Sequence, residues 1–301
     1  MAQSLSNSFS IRRICSQLKI SKSAYYSYLK GKTYQPSRKK RLLLEEVKDI
    51  FETHKSRYGS RRIKEVLKDK GYKVGLCQVK SLMRAQNLLA IQPKSFVPKT
   101  TQSNSSLRRS PNLLLKKEHL PNQPNEVIVG DITYLPSVKN GKNEWLYLAT
   151  WMDLYSRKIV GWQVDQHMES SLIIAPIKRL IRDRVPKEGL IVHSDGGGQY
   201  GSTDFRDLLD LYQFDQSMTR NENHYDNAFA ESLFSRFKAE LLNGGKFYGL
   251  EDAQLKIFEY IEGYYNTIRK HSSIGYLSPN QFESKYWSQI DPSLVTRFLN
   301  T

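Results

Sequence analysis

The sequence predicts an α/β protein: a mixed five-stranded sheet with helices on its faces, preceded by an all-α region that includes a helix-turn-helix. Three observations carry this expectation. Apolar residues recur at helical spacing from residue 11 to about residue 90. Strand-like runs begin only at residue 126, and from there the elements follow the order β-β-β-α-β-α-β-α. The charge divides in the same region. Residues 1–120 hold 27 Lys and Arg against 7 Asp and Glu, a balance of +20, while the remainder holds 19 against 23, a balance of −4.

The first element pair is "FSIRRICSQLKISKSAYYSYLK", residues 9–30. Ile11, Ile14, Cys15 and Leu18 mark one short helix. Ser21 or Ser23 caps a second, which carries Tyr25, Tyr26 and Leu29. A basic stretch broken by Pro36 follows. Three more helices fill residues 41–90. "RLLLEEVKDIFETHK" is amphipathic through Leu43, Val47, Ile50 and Phe51. "SRRIKEVLKDKGY" turns Ile63, Val66 and Leu67 inward, with Ser60 as its expected cap and Gly71 at its end. "GLCQVKSLMRAQNLL" turns Val79, Leu82 and Met83 inward and leaves Lys80 and Arg84 on one outer face. Three helices with short connections have the layout of a helix-turn-helix domain. Residues 92–122 are rich in Pro, Ser, Thr, Asn and Lys and read as a linker or arm.

The strands then come in order. "EVIVGDITYLP" ends in Pro136. Residues 145–153 and 157–164 follow, joined by the tight "LYSR", so the first three strands form an antiparallel meander. "ESSLIIAPIKRLIRDRV" is a helix, "GLIVHSD" a short buried strand, "STDFRDLLDLY" a helix capped by Ser202, and "FDQSM" a fifth strand. "HYDNAFAESLFSRFKAELL" is a long helix, and residues 250–286 are helical and aromatic-rich up to Tyr265, then basic. The expected divisions are 1–38, 39–92, 93–122, 123–243 and 244–301.

Composition narrows the function. A net charge of +16 suits a polyanionic partner, nucleic acid before an anionic membrane surface. Cys15 and Cys77 are the only cysteines, which excludes a disulfide framework and zinc-finger spacing. No run reaches the ~18 apolar residues that span a bilayer, and the N-terminus lacks a signal-peptide core. A soluble, intracellular protein with no membrane partner is expected.

Three carboxylates stand out. Asp131 lies within the first strand and Asp195 at the end of the fourth. Glu231 lies on the long helix, with 35 residues between it and Asp195. If the first and fourth strands are neighbours, the two aspartates meet, and a helix on that face can bring Glu231 to them. Converging carboxylates repel unless a cation compensates. Oxygen ligands favour Mg²⁺ or Mn²⁺, and a pair of such ions suits in-line displacement at a phosphodiester. The glycines after Asp195 leave room for a DNA backbone. Asn227, Glu231 and Lys238, spaced by four and seven, share one helical face, with Lys238 about 10 Å along the axis from Glu231, placed to hold a phosphate.

These residues carry a resemblance. "GDITYL", "HSDGGGQY" and "NHYDNAFAESLFSRFKAEL" closely resemble the DDE integrase core of the second-frame transposases of IS-three-type bacterial insertion sequences. "YGSRRIKEVLKDKGY" and "VKSLMRAQNL" look like that family's upstream helix-turn-helix, and "YYNTIRKHSSIGYLSPNQFE" like its C-terminal signature. The resemblance implies a ribonuclease H-like fold and metal-dependent strand cleavage and strand transfer. It also implies recognition of terminal inverted repeats and of target DNA, and assembly as a homo-oligomer on DNA. Asp131, Asp195 and Glu231 match the metal-binding triad, which would hold two Mg²⁺ or Mn²⁺ ions, and Lys238 matches the basic residue seven after the Glu. A bacterial cytoplasm, with association to the nucleoid, follows from the same source. The chain departs from the pattern at "GGG", where the family often has Arg followed by Gly or Ser. Zinc is not expected, because no His/Cys spacing precedes the core.

Plainer readings stand beside these. Asp153 pairs with Arg157 or shapes its turn. His193 touches a phosphate or is a buried, hydrogen-bonded histidine. Arg269, Lys270 and His271 grip DNA or form an ordinary basic surface. Arg61, Arg62, Lys64, Lys80 and Arg84 contact DNA or are solvated helix faces. Two alternatives to a transposase remain: a DNA-binding modulator that acts in catalysis only when fused to a partner protein from an upstream reading frame, and a ribonuclease H-type nuclease without transfer activity.

Overall fold

The computed structural model describes residues 9–31, 37–93, 110–219 and 228–290; the side chains of residues 228–232 lie outside this description. The chain divides into two compact units, Met1–Leu89 and Ala90–Thr301.

The first unit is helical: α1 (Ile11–Gln17), α2 (Lys22–Leu29), α3 (Arg38–Thr53), α4 (Ser60–Asp69) and α5 (Leu76–Ala85). Ser21 caps α2, accepting from the Ala24 N–H at 3.0 Å. Leu43, Val47, Ile50 and Phe51 of α3 are buried, as are Ile63 and Leu67 of α4 and Val79, Leu82 and Met83 of α5. The cap of α4 differs from expectation. Gly59 occupies the N-cap and Ser60 is the first helical residue. Glycine at that position costs little more than serine, so the local preference was too weak to locate the boundary. Gly71, with φ +85°, ends α4 by donating to the Lys68 carbonyl.

The second unit holds β1 (Val127–Lys139), β2 (Lys142–Asp153), β3 (Ile159–Asp165), α6 (Ser171–Arg184), β4 (Ile191–Ser194), α7 (Thr203–Leu211), β5 (Asp215–Met218), α8 (Ala228–Leu242), α9 (Gly249–Phe258) and α10 (Pro279–Ile290). Wider π-helical turns over Glu259–Tyr265 continue α9. The five strands lie in the order β3-β2-β1-β4-β5. β1, β2 and β3 pair antiparallel, and β4 and β5 run parallel to β1, so the sheet is mixed. Asn140 and Gly141, with φ +52° and +75°, make the two-residue β1–β2 turn.

Side-chain alternation gives the sheet two apolar faces. Val127, Val129, Leu146, Leu148 and Ile191 pack under Leu233, Phe234 and Phe237 of α8 and Ala253 and Ile257 of α9. Ile128, Ala149, Trp151 and Val192 pack under α6 and α7. Two segments outside residues 123–243 pack on this core. Leu113 and Leu114, from the stretch read as a linker, pack against the first cluster, and the Leu113 N–H donates to Ser217 Oγ at 3.0 Å. Residues beyond 243 contribute Phe247, Ala253, Ile257, Tyr260 and Ile261 to the same core. Apolar content alone does not reveal such docking, because each segment buries only a few residues against a surface built elsewhere in the chain.

Gly130 has a steric cause. A Cβ there would lie 2.3 Å from the ring of Trp151, its partner across the β1–β2 ladder. The ring cannot yield: its Nε1 donates to the Ile173 carbonyl at 3.1 Å and its face stacks on Phe205. Gly130→Ala is therefore expected to destabilise the second unit by about 3 kcal/mol, the upper end for an overpacked core, measured by urea unfolding.

Candidate active site

The β1–β4 ladder aligns Val127 with Ile191, Ile128 with Val192 and Val129 with His193. The ladder ends two residues before each aspartate: Asp131 follows Val129 along β1, and Asp195 is the first residue after β4. Alternation from Val127 and Val129 turns Asp131 to the face covered by α8. The two acids are 64 positions apart in the sequence, and parallel pairing makes the strands that lead to them neighbours.

Both carboxylates are half-buried. Asp131 Oδ1 accepts from the Ile132 N–H at 2.8 Å, and Asp195 Oδ1 from the Gly197 N–H at 3.0 Å. Ser194 Oγ donates to the Asp195 carbonyl at 3.0 Å. A Cβ on Gly197 would stand 3.0 Å from Asp195 Oδ1, so the middle glycine makes room for the carboxylate itself. Next to this loop the phenol of Tyr200 is fully buried. Its pKa is pushed well above the usual tyrosine value, by burial first and then by the negative charges of Asp195 and Asp131. One hydroxyl thus lies within the field of both acids.

Lys238 on α8 is half-buried. Burial lowers its pKa below the usual lysine value, and the charge of Asp131 works in the opposite direction. Leu233, Phe234 and Phe237 fix the rotation of α8 on the sheet, and Lys238 follows Phe237 within the electrostatic reach of Asp131. Glu231 stands on α8 two turns before Lys238, about 10 Å toward the helix N-terminus. Its side chain, and the whole of Asn227, lie outside the described residues. Among the described residues no group of three His, Cys, Asp or Glu side chains is placed to hold a metal ion. Asp131 and Asp195 supply hard oxygen donors of the kind that Mg²⁺ and Mn²⁺ take.

The other singled-out residues separate clearly. His193 is buried and its Nδ1 lies 2.8 Å from Ser217 Oγ, the structural reading. Asp153 is fully buried and shapes its turn, accepting from the N–H groups of Asn125, Tyr155 and Ser156 and from Ser156 Oγ. Arg269 is a correction to both readings of "RKHSS". It is buried against Glu240 of α8, donating from Nε at 2.8 Å and Nη2 at 2.6 Å, and Tyr260 donates to the same carboxylate at 2.8 Å. It therefore neither grips DNA nor forms surface. Lys270 donates to the Tyr276 carbonyl, and the ring of His271 packs on Tyr265.

In the first unit, Arg61, Lys80 and Arg84 are exposed. Arg62 lies over the Tyr58 ring at 5.6 Å, and Lys64 pairs with Glu65 at 3.1 Å. Lys80 and Arg84 border a depression of about 320 Å³ with Ser60 and Asn87. Among the described residues no helix is long and apolar enough to cross a membrane.

Comparison with known proteins agrees with this architecture. Residues 121–224 and 212–279 match integrase core domain models, and residues 37–96 match an HTH-like domain. The chain is 38% identical over 242 residues to the transposase for insertion sequence element IS904 of Lactococcus lactis, covering 80% of this chain and 93% of that protein. It is 34% identical over 279 residues to transposase InsF for insertion sequence IS3A of Escherichia coli, covering 92% and 95%. Among solved structures, the catalytic core domain of BIV integrase aligns with 55% of this chain and 97% of its own, at 15% identity and a TM-score of 0.40. With an HTH-like domain ahead of an integrase core, and relatives matched over nearly their whole length, the chain belongs to the transposases of IS3-type insertion sequences.

Proposed function

We propose that the second unit cleaves DNA strands at the ends of an insertion sequence and joins the freed 3′-hydroxyl to target DNA. Asp131, Asp195 and Glu231 serve as its metal-binding triad. The observation that supports this reading is the β1–β4 register, which pairs Val129 with His193, each two residues before one of the aspartates. The donor chemistry fits divalent cations, because half-buried paired carboxylates gain from a shared positive charge. Two Mg²⁺ or Mn²⁺ ions held there would supply the charge neutralisation that in-line displacement at a phosphodiester requires.

The protein's own groups do the positioning. Asp131 is fixed by its strand, Asp195 by the turn closed at Gly197, and Lys238, within the electrostatic reach of Asp131, serves as a cation for a phosphate oxygen. Neither step calls for a serine or tyrosine nucleophile. A labelled terminal repeat incubated with the protein and Mg²⁺ is expected to yield a shortened strand, and then joined product when target DNA is added. Intact DNA together with cleavage of RNA–DNA hybrids would favour the nuclease reading instead.

Substrate recognition belongs to the first unit in this reading, through the exposed cations of α4 and α5. Lys80 and Arg84 lie four apart on α5 and both reach solvent. Replacing both by Ala is expected to weaken binding to the terminal repeat by at least tenfold. If each neutralises one phosphate, the slope of log K against log salt falls by about two. Binding isotherms at three salt concentrations measure both effects. Joining two DNA ends calls for more than one copy of the chain on DNA, and a partner protein from an upstream reading frame completes the proposed set of partners.

A further inference from the structure

Residues 1–44 contain ten Lys and Arg and no Asp or Glu; Glu45 is the first acid of the chain. Within that stretch α1 and α2 form a pair to which the proposed function gives no role. α1 ends at Gln17 and α2 begins at Lys22, so four residues turn the chain. Lys19 takes the left-handed conformation at φ +52°, and the Ile20 N–H donates to the Cys15 carbonyl at 3.0 Å. Ser21 then caps α2. Ile14 and Cys15 of the first helix and Tyr25 of the second are buried. Two short helices about a turn of this length have the helix-turn-helix layout, in which the second helix enters the major groove.

What α2 shows to solvent suits a polyanion. Tyr25 is turned inward, while Lys22, Tyr26 and Lys30, spaced by four, share one exposed stripe with Ser23 beside it. The eight residues of α2 extend about 12 Å, the span of about three to four base pairs. Lysines neutralise phosphates, tyrosine hydroxyls bond to phosphate oxygens, and serine reaches phosphates or base edges. Arg12 and Arg13 on α1 are exposed as well. Charge also bears on the choice of occupant. Residues 9–31 hold five cations and no acid, so the same hairpin of a second copy would be repelled, whereas a DNA backbone would be attracted. We propose that the Lys22–Tyr26–Lys30 stripe is a second contact surface for duplex DNA, separate from α4 and α5. It does not depend on the carboxylate chemistry of the second unit.

The test uses the full chain and three double variants: Lys22→Ala with Tyr26→Ala, Lys22→Glu with Lys30→Glu, and Lys80→Ala with Arg84→Ala. Fluorescence anisotropy at three salt concentrations measures binding to a labelled terminal repeat and to a duplex of scrambled sequence. Hydroxyl-radical footprints map the contacts, and thermal unfolding checks the fold. Both α2 pairs are expected to bind about tenfold more weakly or worse, with Tm unchanged because the replaced side chains reach solvent. They should lose one protected tract and keep the tract that the Lys80–Arg84 pair loses. Should the Ala pair lower the Tm, the Glu pair, which replaces solvated cations only, decides. Wild-type affinity and footprint in the α2 pairs overturn the proposal. Loss of one and the same tract in all three variants overturns it too, because α2 would then not be a separate surface. So does intact DNA affinity with an altered oligomeric state by light scattering, which assigns the stripe to a protein partner. If the Lys80–Arg84 pair alone binds like wild type, the role given to α4 and α5 falls and that of α2 stands. If wild type binds both duplexes equally, terminal-repeat recognition falls, and the α2 contact is read on either duplex.

Discussion

Asp195→Asn is expected to lower the rate of strand cleavage by about 10³ or more while leaving affinity for the terminal repeat within about twofold. The substitution preserves the size of the side chain and an oxygen that can accept from the Gly197 N–H, so the loop that follows β4 keeps its shape. What it removes is one negative charge beside Asp131. A metal site contributes several kcal/mol of transition-state stabilisation, and each 1.36 kcal/mol is about a factor of ten in rate. The cations proposed to contact DNA lie on α4 and α5, in a different compact unit, so binding should persist. Single-turnover cleavage of a labelled end, with an electrophoretic binding assay on the same preparation, separates the two effects. Equal loss of binding and cleavage would show that Asp195 supports the fold, and the proposed chemistry would lose its main support.

The second large effect concerns stability. Arg269→Ala is expected to destabilise the second unit by about 3–5 kcal/mol, because it strands the Glu240 carboxylate without its cation in a dry interior. Glu240 is 6% exposed and Arg269 2%, and the two meet through a bidentate contact. Arg269→Lys retains the charge but not the planar fork, and should fall between wild type and Ala. Replacing Arg269 by Met and Glu240 by Gln together should cost less than Arg269→Ala alone, because no unpaired charge is left buried. Urea unfolding of the four proteins ranks them. If Arg269→Ala unfolds like wild type, the pair is solvated and the buried geometry is wrong.

How much of this was legible in the sequence depends on the range of the interaction that decides each feature. Helices and strands set by local periodicity were readable: Leu43, Val47, Ile50 and Phe51 all turned inward, and the three-strand meander formed where Val, Ile and Tyr cluster. The acids were legible as residues, but neighbouring strands for the two aspartates required β4 to insert beside β1 rather than at a sheet edge, and periodicity carries no information about strand order. Arg269 was misread for the same reason. A run of Arg, Lys and His looks alike whether it faces solvent, phosphate or a buried glutamate, and the glutamate stands 29 positions earlier on another helix.

The contacts of α10 bear on how the chain matures. Glu283 on that helix pairs with Arg184 at 2.7 Å and accepts from Ser156 at 2.8 Å, while Arg184 also reaches Asn125 and Tyr286 donates to Gln123. The residues that open the sheet domain therefore wait for residues near its far end. On the ribosome, Arg184 emerges roughly a hundred residues before Glu283, so the nascent sheet must carry it without that partner for several seconds at ordinary translation speeds. The described apolar interior of the helical bundle ahead of it includes Val47 and Ile50 of α3, Ile63 and Leu67 of α4, and Val79 and Leu82 of α5. Vectorial synthesis should therefore deliver a finished basic module first, tethered to a domain that closes only when its last helix leaves the exit tunnel.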